Sequence, residues 1–249
     1  MLIFRKMIQE RLINGRLHFS LIDPDKQSAQ EAGKMAYLCE KYGTDAIMVG
    51  GSTVDGKMVY DTIKEIKKNC SLPTIIFPNS ADALVENADY VLFMEFMNSL
   101  KYEHTRGEQL KGGILVKKLG IKPIATGYMV ISTSKIPTTV EQKTVLDRIG
   151  EDDIEKAVRY CAYAECIGMD CVYLDAGSNA EKPVPDKMIR EIRKIVDLPI
   201  IVGGGIKTPE EAKRKIEAGA NAIVTGSLVE EKIEKIRSII EAIKSASPS

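Results

Sequence analysis

The chain has 249 residues, 44% of them hydrophobic, 28% charged and 6% aromatic with no tryptophan, which supplies a large apolar core and excludes a disordered chain. Thirty-five basic residues balance thirty-five acidic ones, so no overall field draws the chain to nucleic acid or to an anionic membrane surface, and any phosphate recognition is local. The five cysteines, Cys39, Cys70, Cys161, Cys166 and Cys171, form no C-x-x-C pair and mostly lie in apolar segments, the pattern of reduced, packed thiols in a cytoplasmic protein.

Residues 1–14 are amphipathic, with Arg5, Lys6, Glu10 and Arg11 among the apolar positions, which predicts an extra N-terminal helix and not a signal peptide. Strand runs are then expected at 17–22, 46–49, 74–77, 90–94, 123–131, 171–174, 200–202 and 222–224, being short, β-rich and bounded by turn residues. Helical periods fall between and after them at 29–41, 58–69, 81–87, 102–119, 152–167, 186–195, 209–218 and 230–244. Eight strands, each followed by a helix, predict a single-domain α/β protein over residues 1–249, a (β/α)8 TIM barrel with the added helix at its bottom. An open doubly wound sheet is disfavoured, because no G-x-G-x-x-G follows the first strand. The irregular stretch 132–150 is long for a loop between strand and helix, and is the candidate lid. No stretch approaches the length of a membrane span.

In such a barrel the chemistry gathers where strands end. Strand seven runs into Gly203-Gly204-Gly205 and strand eight into Thr225-Gly226-Ser227. Glycines let backbone N–H groups approach phosphate oxygens, and a following helix adds a favourable dipole, so the pair of loops reads as a phosphate cup. Strand one ends in Asp23-Pro24-Asp25-Lys26, where Asp23 is a candidate divalent-metal ligand, with capping or turn formation as the alternative. Strand two brings Gly50-Gly51-Ser52-Thr53 to the same rim, and the Ser52 hydroxyl suits hydrated Mg²⁺ and a diphosphate. Strand six ends in Tyr173-Leu174-Asp175, placing Asp175 to accept a hydroxyl proton or, alternatively, only to bind. Met94, Phe96, Met97, Tyr128 and Met129 are core residues that could also form a flexible apolar groove. His18 and His104, the latter on an expected surface helix, lack a local Ser or Cys partner and read as structural.

Taken together, these motifs resemble the geranylgeranylglyceryl phosphate synthase family, which has heptaprenyl-using bacterial relatives. The resemblance spans nearly the whole chain and rests on residues 18–26, 43–46 with 50–52, 123–128, 173–178, 203–206 and 225–227. It implies transfer of a long prenyl group from its diphosphate to the C3 hydroxyl of sn-glycerol 1-phosphate, the first ether bond of a membrane lipid. It further implies Mg²⁺ at Asp23 and Ser52, and glycerol phosphate held by Tyr173, Leu174, Asp175, Ala176, Gly177, Ser178, Asn179, Gly203, Gly204, Thr225 and Gly226. Asp23 and Asp175 are then the catalytic pair. Some relatives carry Glu at the strand-six acid, and the shorter Asp175 leaves room for a bridging water. Leu21 stands where the heptaprenyl-using relatives carry Lys, which points to the geranylgeranyl branch. A homo-oligomer and transient, substrate-driven membrane contact are also implied, with no nucleic acid. The competing readings are a phosphosugar isomerase or cyclase of the phosphate-binding barrels, and a non-catalytic phosphate binder. A chain-elongating prenyl synthase is disfavoured by the absence of paired D-D-x-x-D motifs.

Overall fold

The computed structural model describes residues 15–247, and the expected N-terminal helix lies outside the described residues. Eight parallel strands form the barrel: β1 (Leu17–Ile22), β2 (Ala46–Val49), β3 (Thr74–Ile76), β4 (Tyr90–Phe96), β5 (Lys122–Ser132), β6 (Cys171–Asp175), β7 (Ile200–Gly203) and β8 (Ala222–Thr225). Each pairs with its neighbours in chain order, and the pairing of β1 with β8 closes the ring. The expected (β/α)8 architecture is the one observed.

The strands are almost entirely apolar because both faces are covered. Alternate residues point inward, where Phe19, Met48, Leu92, Tyr128, Tyr173 and Val224 fill the barrel. The intervening residues face the helices α1 (Ala29–Tyr42), α2 (Gly56–Asn69), α3 (Glu108–Leu119), α5 (Ile154–Cys166), α6 (Asp186–Arg193), α7 (Pro209–Glu217) and α9 (Glu234–Ser245). Two shorter helices, α4 (Thr139–Lys143) and α8 (Ser227–Glu231), stand at the mouth. Local signals set several helix starts: Ser28 with Glu31 makes a capping box for α1, and Thr208 with Glu211 makes one for α7, where Pro209 opens the helix.

His18 is buried on the helix-facing side of β1, its ring nitrogens 2.8 Å from Thr44 Oγ1 and 2.9 Å from Thr225 Oγ1. Burial, and then the Lys244 cation, hold its pKa down to about 3. The structural role expected for it is the one it has.

Five local expectations change. The helix expected at 81–87 is only a 3-10 turn, Ala81–Ala83. The start of α2 presses on that turn, a Cβ on Gly56 falling 2.6 Å from the Asp82 carbonyl oxygen, which leaves no room for a full helical cylinder. The helix expected at 102–119 opens with one π turn, Glu103–Gly107, before α3. His104 in that turn is only partly exposed, against its expected surface position. The last helix divides into α8 and α9. The stretch 132–150 is not irregular throughout: it holds α4 and a two-residue strand, Ile149–Gly150, paired with the end of β5.

All five cysteines are free. Four are buried, and burial first of all pushes Cys39 and Cys70 up to about 11 and Cys161 and Cys171 up to about 12. Cys166 is exposed, because its helix ends there and its side chain leaves the packed face. No helix among the described residues is long and apolar enough to cross a membrane.

Candidate active site

The C-terminal ends of the strands open into a cavity of about 890 Å³. Its floor is the aromatic top of the barrel core. Tyr128 meets Phe96, Tyr173 and Phe77 edge-on at centroid distances of 4.9, 5.4 and 5.7 Å, a favourable arrangement that fixes the ring.

That packing aims the Tyr128 hydroxyl at the acid closing β6. Tyr128 OH donates to Asp175 Oδ2 at 2.8 Å, and the Gly177 N–H donates to Oδ1 at 2.7 Å. Burial pushes the Asp175 carboxyl above its ordinary value, while the Gly177 amide and the Tyr128 hydroxyl pull it back. The result is a carboxylate held in one orientation by two donors at the cavity wall.

Around Asp175 stand the glycine loops. Gly204 and Gly205 have φ values of 75° and 70°, a left-handed backbone that glycine adopts without strain. A Cβ on Gly204 would lie 2.6 Å from the Gly177 backbone and 2.7 Å from Asp175 Oδ1, so the β6 and β7 loops touch backbone to backbone. Ser227 Oγ donates to Asn179 Oδ1 at 3.0 Å, tying the β8 loop to the β6 loop. Thr225 turns its hydroxyl outward to His18, which leaves its backbone as the part facing the cavity.

Across the mouth, Asp23 is half-buried at the end of β1. Its Oδ1 accepts from the Asp25 N–H at 3.1 Å, and Lys26 Nζ stands 4.0 Å from its Oδ2. Burial raises its pKa, and the Asp25 amide with the Lys26 cation opposes the rise. The β2 loop passes directly over this carboxylate, a Cβ on Gly51 falling 2.0 Å from Asp23 Oδ1. Only glycine fits there, and Ser52 follows on the rim.

An apolar arm leaves this polar mouth along β3 and β4. Phe77, Leu84, Leu92, Phe93, Met94 and Phe96 line it, with Val140 of α4 above and Glu108 and Gln109 at the start of α3 beyond. The arm exists because a single 3-10 turn replaces a helix after β3.

Of the site residues expected from sequence, Asp23, Ser52, Tyr173, Asp175, Gly177, Ser178, Asn179, Gly204, Thr225 and Gly226 all line this one cavity. Leu174 and Ala176 do not: the two-residue period of β6 turns them into the helix-facing core. Gly203 is also withdrawn, serving to admit the Tyr173 ring, whose hydroxyl would be 2.4 Å from a Cβ there. Met94, Phe96 and Tyr128 line the cavity, whereas Met97 and Met129 pack behind it. Sequence reasoning missed the Tyr128 contact with Asp175. The partner strand register, Tyr128 beside Tyr173, was the missing information. It also missed Lys143, and the cavity-lining His104, whose Nδ1 lies 2.7 Å from Thr144 Oγ1.

The sequence model of the PcrB family matches residues 6–245 of the chain. A geranylgeranylglyceryl phosphate synthase of Pyrococcus horikoshii is 42% identical over 242 residues, 96% of this chain and 94% of that protein. Its counterpart in Thermococcus gammatolerans is 42% identical over 243 residues, 96% of this chain and 95% of that protein. Among solved structures, (S)-3-O-geranylgeranylglyceryl phosphate synthase from Thermoplasma acidophilum in complex with substrate sn-glycerol-1-phosphate superposes with a TM-score of 0.92 at 35% identity, covering 97% of this chain and 98% of that one.

Proposed function

The chain belongs to the PcrB family, and from that premise we propose that it transfers the geranylgeranyl group of geranylgeranyl diphosphate to the C3 hydroxyl of sn-glycerol 1-phosphate. The observation that carries this reading is the joining, in one cavity, of a glycine-loop cup beside a fixed carboxylate with an apolar arm. A phosphosugar isomerase or cyclase has no use for the arm, and a pure binder has none for Asp175 held between two donors.

The glycine loops after β6, β7 and β8 bind the phosphate of the acceptor, and Asp175 orients its C3 hydroxyl. The prenyl chain lies in the apolar arm with its diphosphate at the Asp23 rim. The bond between the allylic C1 and its diphosphate oxygen breaks with the electron pair leaving on diphosphate. The glycerol oxygen bonds to C1, and its proton passes to the Asp175 carboxylate, directly or through a water. Tyr128 acts on this step by positioning Asp175.

Among the described residues no group of three His, Cys, Asp or Glu side chains is gathered to hold a metal. One carboxylate, Asp23, with Ser52 on the same cavity rim is a donor set that suits Mg²⁺, which is commonly held by one or two carboxylates together with the phosphates of a substrate. Asp23 and Ser52 would hold it, the glycine at position 51 letting the β2 loop approach the Asp23 carboxylate closely. When bound, the ion supplies positive charge to the departing diphosphate. Assembly into a homo-oligomer belongs to the same reading. It is supported by the exposed apolar side chains Leu110 and Ile114 on α3 and checked by sedimentation velocity.

The test is incubation with sn-glycerol 1-phosphate, Mg²⁺ and prenyl diphosphates of increasing length, followed by mass spectrometry of the ether product, beside Asp23→Ala. Product greatest with the geranylgeranyl donor and lost in the variant is the expected result. Product from no donor would overturn the reading.

A further inference from the structure

The stretch between β5 and α5 makes two kinds of contact. Near its start it is pinned to the loop after β6, where the proposed acceptor sits: Thr133 Oγ1 donates to the Lys182 carbonyl at 2.6 Å, and the Glu181 N–H donates to Ser134 Oγ at 2.9 Å. Thr138 fills the space beside Gly177, where a Cβ would fall 2.5 Å from the Thr138 hydroxyl. Helix α4 begins at that point, and its last residue, Lys143, reaches over the mouth to the opposite rim. There Lys143 Nζ donates to the Ser52 carbonyl at 2.9 Å.

Lys143 differs from Lys26, the cation that stands 4.0 Å from the Asp23 carboxylate. Lys26 is engaged by Glu230 at 2.7 Å. Lys143 lines the cavity, meets a carbonyl oxygen, and forms no ion pair with a described carboxylate. An ammonium has three donors, and the Ser52 carbonyl takes one. Two remain for an anion lying between Asp23 and Ser52.

We propose that Lys143 is a diphosphate-binding residue, carried on a strap that is anchored on the acceptor loop and donates two hydrogen bonds to the phosphate oxygens of the prenyl donor. The inference rests on the reading that a prenyl diphosphate binds at the Asp23 rim. It assigns the donor head group a protein cation besides the metal site. It also explains why the strap joins both halves of the cavity: the same segment that fills space beside the acceptor loop places charge at the leaving group.

The test uses the full chain with Lys143→Met, which keeps a long unbranched side chain on an exposed position, and Lys143→Arg. Affinity for inorganic pyrophosphate with Mg²⁺, affinity for sn-glycerol 1-phosphate, and the KM for geranylgeranyl diphosphate are measured for each. Charge-assisted hydrogen bonds of this kind correspond to about ten- to hundredfold in affinity. Lys143→Met is expected to weaken pyrophosphate binding and raise the donor KM by about tenfold or more, with sn-glycerol 1-phosphate affinity unchanged and Lys143→Arg close to the parent. Unchanged pyrophosphate binding in Lys143→Met overturns the proposal, and so does equal weakening of both ligands, which marks a structural strap. A parent protein that forms ether product yet passes neither test refutes this inference alone. A parent that neither binds pyrophosphate nor forms product refutes the underlying reading and this inference with it.

Discussion

Asp175 and Tyr128 carry the sharpest expectations for single side chains. Asp175→Asn keeps the size of the group and removes its charge and basicity, so kcat should fall by about 10²- to 10⁴-fold, the usual contribution of a positioned base, while the protein stays folded. Tyr128→Phe keeps the ring packing and removes one donor to Asp175, and should lower kcat by about tenfold with little change in donor KM. Because burial raises the Asp175 pKa in the folded state, its contribution to stability is full below the unfolded value of about 4 and is lost as pH rises through the folded value. Melting temperatures of the parent and of Asp175→Asn across pH 4 to 8 check this: the difference should move in favour of Asn as pH rises. His18 has the opposite sign. Its folded pKa of about 3 lies below the ordinary value of 6.5, so the unfolded chain takes up the proton first. The stability it contributes is present above about 6.5 and lost as pH falls toward 3. A His18→Gln variant should show a shallower fall in melting temperature over that interval.

At the level of elements, the strap between β5 and α5 is held by Glu141, whose carboxylate accepts from Ser132 Oγ at 2.6 Å and from the Thr138 N–H and hydroxyl at 2.7 Å each. Glu141→Ala removes the capping box of α4, a local loss of about 1 to 2 kcal/mol. Hydrogen exchange should quicken in residues 133–148 and both substrate KM values should rise, with the melting temperature of the barrel nearly unchanged. A large fall in melting temperature would show that the strap is integral to the barrel core. This element was legible as a long loop that could cover the site, since its length stood out. Its inner order was not, because Glu141 and Thr138 make a cap only once the chain leaves β5 in the right direction. The 81–87 segment shows the converse. Its residues favour a helix locally, but the start of α2 occupies the volume a full helix needs, and packing overrides propensity.

For the whole molecule, the eight barrel strands of the described residues pair around one ring, and the expectation of a single domain can be tested on that basis. Calorimetry should record one unfolding transition, moved upward by saturating sn-glycerol 1-phosphate as mass action requires. Two transitions, only one of them shifted, would divide the chain into separate units. The sequence by itself determined the architecture and the polar mouth: alternation of strand and helix periods, Asp23 and Asp175 ending their strands, and glycines after β7 and β8 are local features. They keep their meaning wherever the chain is placed, because side-chain period and backbone permissiveness are properties of a few neighbouring residues. Only the tertiary structure decided that Leu174 and Ala176 turn away from the cavity, that the Tyr173 ring covers Gly203, that Tyr128 holds Asp175, that an apolar arm opens beside β4, and that Lys143 meets Ser52. These depend on strand register, on the volume already filled by neighbouring helices, and on closure of the ring, which brings together groups 47 residues apart at Asp175 and 91 apart at Lys143. No local spacing encodes such distances.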